Sequence, residues 1–439
     1  MNTKSLRKQA SKLVLAIALA TGTAMVAGHI APDEAHAQRS KKKKKKDKES
    51  EPKSEYSKEW REAFVPLQEK FKAEDADVSA LLGEIEAVVA LAKSGDELLQ
   101  TGQLIYNAGI GINDLPMRLR GMEMMIGSGK VPAAAIGQYN FISFQLADNL
   151  KDYQKARTYL QAAIDQGYTR QDLTAADLQV AMAQNYFNAN EYPAGLVELE
   201  KAIEAKIAAG ETVEERLYDI GFSVAYREDI QPQVYDYAIR RAQLFPDTEN
   251  WINAINLVRV LNDLSPEATL DLLRLSRAAD VLTDKQEYII YVETADARAL
   301  PQEVKDVIEE GYASGALDRE DTYVSDQYRI ANDRVESDRA DLPELENDAM
   351  AADAGVRTVA AAASAFLSYG QYDKAVAFYQ KALTMPGVET DETLTRLGIA
   401  QVGAQDYAGA QETFAKVAGE RGPVARVWAG YAGYEAGGM

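Results

Sequence analysis

From Trp60 onward the sequence predicts an all-α chain, an α-solenoid of antiparallel helix hairpins, and three observations predict it. Apolar residues recur at three- and four-residue spacing almost throughout, with alanine abundant and alternating strand patterns scarce. The 13 prolines and 29 glycines fall mostly between the periodic segments, where helix breakers belong. Third, a four-residue frame repeats along the chain. About 380 residues is too many for one compact helical core, so the repeat decides for stacked hairpins with a long open groove.

Residues 1–37 read as a signal peptide. Lys4, Arg7, Lys8 and Lys12 precede the apolar run Leu13 to Ala20, which extends weakly to Ala27 and is too short to span a bilayer comfortably. Ala35–His36–Ala37 places small residues at the two positions a signal peptidase reads, so cleavage is expected before Gln38 and the location periplasmic. No cysteine follows the run to carry a bacterial lipid anchor. Arg39 and Lys41 to Lys46 oppose translocation. The rival readings are therefore an uncleaved membrane anchor or a cytoplasmic assembly protein that keeps its N-terminus.

Residues 38–58 are dense in lysine, glutamate and serine and poor in apolar side chains, so they are expected to be a disordered linker. The lysines can serve as a patch for anionic lipid or cell-wall polymer, or simply as a solvated spacer. Residues 1–37 carry a net +2 and residues 38–58 a net +6, so the total of −20 leaves −28 on residues 59–439. So acidic a body repels nucleic acid and favours cationic partners.

The frame is clearest from Tyr153, followed by Ala156, Leu160 and Ala163 at +3, +7 and +10. It recurs as Tyr192, Gly195, Leu199, Ala202; as Tyr372, Ala375, Tyr379, Ala382; and as Tyr407, Ala410, Phe414, Val417. A weaker copy is Tyr235, Ala238, Ala242, Phe245. These spacings put four residues on one helical face. The small +3 residue admits a neighbouring helix, and the +7 residue fills the gap beside it. Twelve positions before the +3 site a preceding helix supplies a small residue of its own in three copies, Ala183, Ala363 and Gly398, and bulky Phe144 in the fourth.

This pattern resembles the tetratricopeptide repeat. The copies at Tyr372 and Tyr407 are 35 residues apart, near the family period of about 34. Leu397–Gly398 matches the family's Leu-Gly pair, and Pro386 sits near its terminal proline. The copies at Tyr153 and Tyr192 are 39 apart, and the segment from Lys151 to Tyr168 is also similar to the Sel1-type repeat. The expected organisation is degenerate repeats over 59–317, an irregular helical insertion with short helices over 318–355, and regular repeats over 356–439. Between the copies, Trp251 to Val281 reads as two helices broken near Ser265–Pro266, and Gln302 to Gly311 as another helix.

Catalytic and cofactor signals are weak. Cysteine is absent, and the only histidines, His29 and His36, lie in the expected leader, which excludes thiol, imidazole-relay and thiolate-metal chemistry from the mature chain. Gly127–Lys130 imitates a phosphate loop, but Met124 and Val131 occupy places that need glycine and a hydroxyl. Gly109–Ile110–Gly111 lacks a preceding strand and a third glycine. Asp75, Asp77, Ser79 and Glu86 imitate a calcium loop without its central glycine, since Ala80 stands there. No catalytic residue, cofactor or metal is assigned.

The expectation is a non-catalytic, exported scaffold that binds a protein or peptide, with a bias toward basic segments. A cell-wall glycan enzyme working through paired carboxylates, or a subunit of one, is the alternative from another class. The resemblance implies peptide contacts on the first helix of each hairpin, often through basic and asparagine side chains. Here the matching positions Val180, Gln184, Ala360, Ser364, Thr395 and Ile399 are apolar or neutral. Gln184 and Asn188 remain as candidate groove contacts.

Overall fold

The structure, a computed structural model, describes residues 55–73 and 76–437. The expected leader with its two histidines, most of the lysine-rich linker, and Asp75 lie outside the described residues. The described residues form 20 α-helices with short connections and no strand. The first are α1 (Lys58–Phe71) and α2 (Leu82–Leu91). Four hairpins follow: α3 (Gly95–Gly111) with α4 (Leu115–Gly127), α5 (Ala133–Asn149) with α6 (Tyr153–Asp165), α7 (Ala175–Asn188) with α8 (Tyr192–Ala208), and α9 (Glu215–Arg227) with α10 (Gln233–Leu244). Next come α11 (Thr248–Leu261), α12 (Pro266–Ala278), α13 (Lys285–Ala295), α14 (Pro301–Ser314) and α15 (Thr322–Met350). The last are α16 (Val356–Ser368) with α17 (Tyr372–Leu383), α18 (Thr390–Gly403) with α19 (Tyr407–Phe414), and α20 (Gly422–Gly437).

The frame tyrosines Tyr153, Tyr192, Tyr372 and Tyr407 each begin the second helix of a hairpin. Behind them Ala156, Leu160 and Ala163 are buried, as are Gly195, Leu199 and Ala202, then Ala375, Tyr379 and Ala382, then Ala410 and Phe414. Val417 is half-buried just past the end of α19. In the weaker copy Tyr235, Ala238 and Ala242 are buried and Phe245 is half-buried. Full burial of a leucine or phenylalanine at +7 is worth about 1.5–3 kcal/mol. The small residues let helices touch: a Cβ on Gly398 would lie 2.5 Å from the Phe414 ring, and one on Gly195 would overlap the ring of Phe187.

One backbone turn closes six of the hairpins. Asn113, Lys151, Asn190, Asp229, Gly370 and Gln405 take positive φ between 51° and 67°. The next amide in each, from Asp114, Asp152, Glu191, Ile230, Gln371 and Asp406, donates to the carbonyl five residues back at 2.8–3.0 Å. That bond satisfies an orphan carbonyl at the end of the first helix. Asp114, Asp152 and Asp406 then cap the second helix through their side chains. Elsewhere Ser265 caps α12 with Pro266 in its first turn, where a missing N–H costs nothing.

Residues 322–350 differ from the expected irregular insertion. They form one 29-residue helix, α15. Val324, Ala331, Val335, Leu342 and Ala349 are buried along it at spacings of seven, four, seven and seven, a single helical stripe among many charges. Pro343 inside the helix leaves out one amide, the partner of the Arg339 carbonyl, without ending it.

The larger correction concerns the open groove, which does not continue through the C-terminal half. The last helix, α20, packs against α10, α11 and α12, and α18 also reaches α12. Trp428 Nε1 donates to the Asp271 carbonyl at 2.8 Å, Tyr431 Oη to the Ala278 carbonyl at 2.7 Å, and Gln243 Nε2 to the Gly430 carbonyl at 2.7 Å. Trp251 meets Tyr431 and Tyr434 edge-on, at ring-centre distances of 5.6 and 5.8 Å. Helices α10 to α20 therefore close into a ring, while α1 to α9 form an open arm whose helices touch mainly their neighbours in sequence.

Candidate binding cavity and groove

The ring is locked by a buried charge cluster. Asp271, on α12, is fully buried and meets three guanidinium groups. Arg274 donates to it at 2.8 Å, Arg421 at 2.5 Å and Arg396, more loosely, at 3.4 Å. Arg274 also grips Glu303 through two bonds of 2.8 Å, and Tyr291 Oη donates to Glu303 at 2.7 Å. Glu392 pairs with both Arg396 and Arg421. Three arginines thus face three carboxylates, so the cluster is electroneutral, the condition under which charges survive burial. Burial pushes the Glu303 carboxyl up, but Arg274 outweighs it and holds the group below its ordinary range. Burial drives the Tyr291 phenol well above its ordinary value.

Beside this cluster the ring borders an open cavity of about 1190 Å³. Helices α12, α13, α14, α15, α18 and α20 and the α16–α17 turn all contribute to its wall. Charged groups there are tied to one another. Arg277 holds Glu310 at 2.6 and 2.9 Å. Gln302 bridges, accepting from Arg339 at 2.8 Å and donating to Asp306 at 2.7 Å. Burial raises the Asp306 carboxyl above its ordinary value. Tyr369 and Tyr372 stand at the wall, with Tyr372 37% exposed and its ring lying over Gly403. A smaller groove of about 440 Å³ runs between α8, α10 and α20, flanked by the ion pairs Arg240–Glu200 and Arg426–Asp236.

The arm presents a different surface. Gln184, half-buried, and Asn188, exposed, lie one turn apart on α7, and Gln184 Nε2 donates to Asn188 Oδ1 at 3.0 Å. Gln184 sits six residues before the left-handed residue of its hairpin turn. The same position on the neighbouring first helices holds Asn107 on α3, Gln145 on α5 and Ser223 on α9. Asn107 and Ser223 are exposed and Gln145 is half-buried. Four successive first helices thus carry an uncharged side chain that both donates and accepts. In the ring the same position holds Ser364, which hydrogen-bonds Tyr379 Oη at 3.1 Å, and Ile399.

Two decoys resolve into ordinary structure. Gly127 to Lys130 forms the exit from α4, with Gly129 at φ +66° and Pro132 starting α5. Asp77 spends its carboxylate on the Ser79 and Ala80 amides of a 3-10 turn. Among the described residues no group of three His, Cys, Asp or Glu side chains is placed to hold a metal, and no helix is long and apolar enough to cross a membrane.

No family profile and no curated protein matches the chain. Among solved structures, the chain is similar to the TPR2AB-domain:pHSP90 complex of yeast Sti1, at 12% identity over 70% of this chain and 95% of that one, with a TM-score of 0.23. It is similar to the P58(IPK) TPR domain at 12% identity over 86% and 98%, TM-score 0.19. It is also similar to the APC/C hetero-tetramer Cut9–Hcn1 at 13% identity over 84% and 65%, TM-score 0.18.

Proposed function

We propose that this chain is a non-catalytic scaffold that holds an extended segment of a protein partner along the first helices of its arm. The observation that carries this reading is the row Asn107, Gln145, Gln184 and Ser223, repeated at one position of four hairpins. Neutral groups that donate and accept suit a peptide backbone, whose N–H and C=O both need partners. They fix an extended chain without demanding a particular side-chain charge. The net −28 of residues 59–439 adds long-range attraction for segments rich in lysine or arginine. The ring, in this reading, is a rigid base.

The setting we propose is the periplasm, after cleavage before Gln38, with the lysine run 41–46 tethering the protein to anionic envelope polymer or lipid. N-terminal sequencing of the native protein tests the export half: Gln38 at the start supports it, and an intact Met1 contradicts it. A photo-crosslinking residue at Asn188 in intact cells tests the groove. It should capture a protein partner, and the combined change Asn107→Ala, Gln145→Ala, Gln184→Ala should abolish capture while leaving the melting temperature unchanged. Capture that survives the triple change contradicts the assignment of this row.

A further inference from the structure

We propose that the ring cavity is a second binding site, separate from the arm, and that its ligand is a neutral oligosaccharide. Its size comes first. At about 1190 Å³ it exceeds the roughly 300–1,000 Å³ of ordinary small-molecule sites. It therefore has room for several linked rings rather than for one compact metabolite.

The charge of the wall narrows the ligand class. Three arginines, Arg274, Arg277 and Arg339, face four carboxylates, Asp280, Glu303, Asp306 and Glu310, a net of −1. Arg274 and Arg277 are each held by a carboxylate at hydrogen-bond distance, so neither is free for an anion. Asp306 is engaged by Gln302, and burial makes an added charge there costly. Arg339, which donates to neutral Gln302, and Asp280 stand at exposed positions with opposite charge; a charged ligand lying deeper along the wall would have to break the closed pairs. A neutral one need not.

What the wall does offer is planar groups in side-by-side sets. The Arg339–Gln302–Asp306 chain and the Arg277–Glu310 pair each place a donor next to an acceptor. A hydroxyl both donates and accepts, so neighbouring hydroxyls on a sugar ring can satisfy both members of such a set at once. The apolar requirement is met as well. Tyr372 shows part of its ring to the cavity with its back against Gly403, and Tyr369 stands in the same turn with its Oη fixed to Asp338 at 2.8 Å and the Arg339 guanidinium over its ring. A ring held as Tyr372 is offers an apolar face to the C–H face of a sugar.

Calorimetric titration of the whole protein with cellotetraose, maltotetraose and chitotetraose tests this, with tetragalacturonate as the charged comparison. One neutral tetrasaccharide should bind saturably at one site, and tetragalacturonate should not. Tyr372→Ala and Asp306→Asn should each weaken binding about tenfold or more, close to 1.4 kcal/mol. Arg339→Ala, at an exposed position, should weaken it in the same direction. Gln184→Ala should leave saccharide binding unchanged, so failure of the arm proposal and failure of this one are distinguishable. The proposal is overturned if no neutral tetrasaccharide binds at about 1 mM, if the charged one binds better, or if binding ignores all three cavity variants.

Discussion

The arm and the ring are made from the same hairpin and behave as different objects. In both, a tyrosine begins the second helix and a small residue three places later meets the helix before it. In the arm each helix pair touches mainly its neighbours, so stability there is a sum of local terms. In the ring, α20 and the turn before it return to helices laid down some 150 to 190 residues earlier, through Arg421–Asp271, Tyr431–Ala278 and Arg426–Asp236. The difference teaches that a repeat motif fixes the unit but not the path of the stack. A handful of residues outside the motif decides whether the stack stays open.

The largest break in that comparison is expected at Asp271. Asp271→Ala leaves Arg274, Arg396 and Arg421 crowded together without their common carboxylate. Removing one partner from a buried charge cluster costs about 3–5 kcal/mol. Urea unfolding should show that loss, and amide exchange should show it in helices α10 to α20 only. Equal loss of protection in the arm would mean that the two regions fold as one unit.

A smaller and more local effect is expected from Gly195→Val. The new side chain overlaps the Phe187 ring, and overpacking of this kind costs about 1–3 kcal/mol. Exchange should quicken in α5 to α9, and the ring should be untouched. If the ring also loosens, the nearest-neighbour description of the arm is wrong.

Acid should act on the start of the arm. Glu97 is buried at the first turn of α3, and it accepts the amides of Ser94, Lys93 and Ser57 at 2.9, 2.8 and 2.6 Å. Burial alone would push its carboxyl up, but those donors outweigh burial and hold it at about 2, against an ordinary 4.5. A depressed carboxyl stabilises fully above the ordinary value and loses its contribution as pH falls toward the folded one. Protection around α1 to α3 should therefore decline between pH 4.5 and 2, and Glu97→Gln should flatten that decline. An unchanged slope in the variant would assign the acid effect elsewhere.

Much of the unit was legible in the sequence, because periodicity records burial. The frame residues from Ala156 to Phe414 were readable, and so was the break at Ser265–Pro266. Three things were harder to read. The hairpin turns use left-handed Lys151, Asp229 and Gln405 where glycine would have announced them. Helix α15 hides a thin apolar stripe under its charges and carries Pro343, which favours reading it as broken. The closure of the ring depends on pairs such as Asp271 and Arg421, which no local pattern connects. One hint was present: a lone aspartate inside Leu270–Asp271–Leu272–Leu273 marks a charge within an apolar run, and such a charge needs a buried partner. For the arm row, counting back six residues from each turn would have added Asn107, Gln145 and Ser223 to Gln184.

Ring closure itself is open to one direct measurement, made clean by a chain with no cysteine of its own. A Cβ built on Gly430 lies 3.4 Å from Ile239 Cβ, close to the separation of about 3.8 Å found in disulfides. In the double variant Ile239→Cys, Gly430→Cys, mild oxidation should give an intramolecular disulfide in the monomer, seen as faster migration on a denaturing gel and as a linked peptide by mass spectrometry. A folded, helical double variant that keeps both thiols free, or bridges only between molecules, would show that the C-terminal helix does not return to α10.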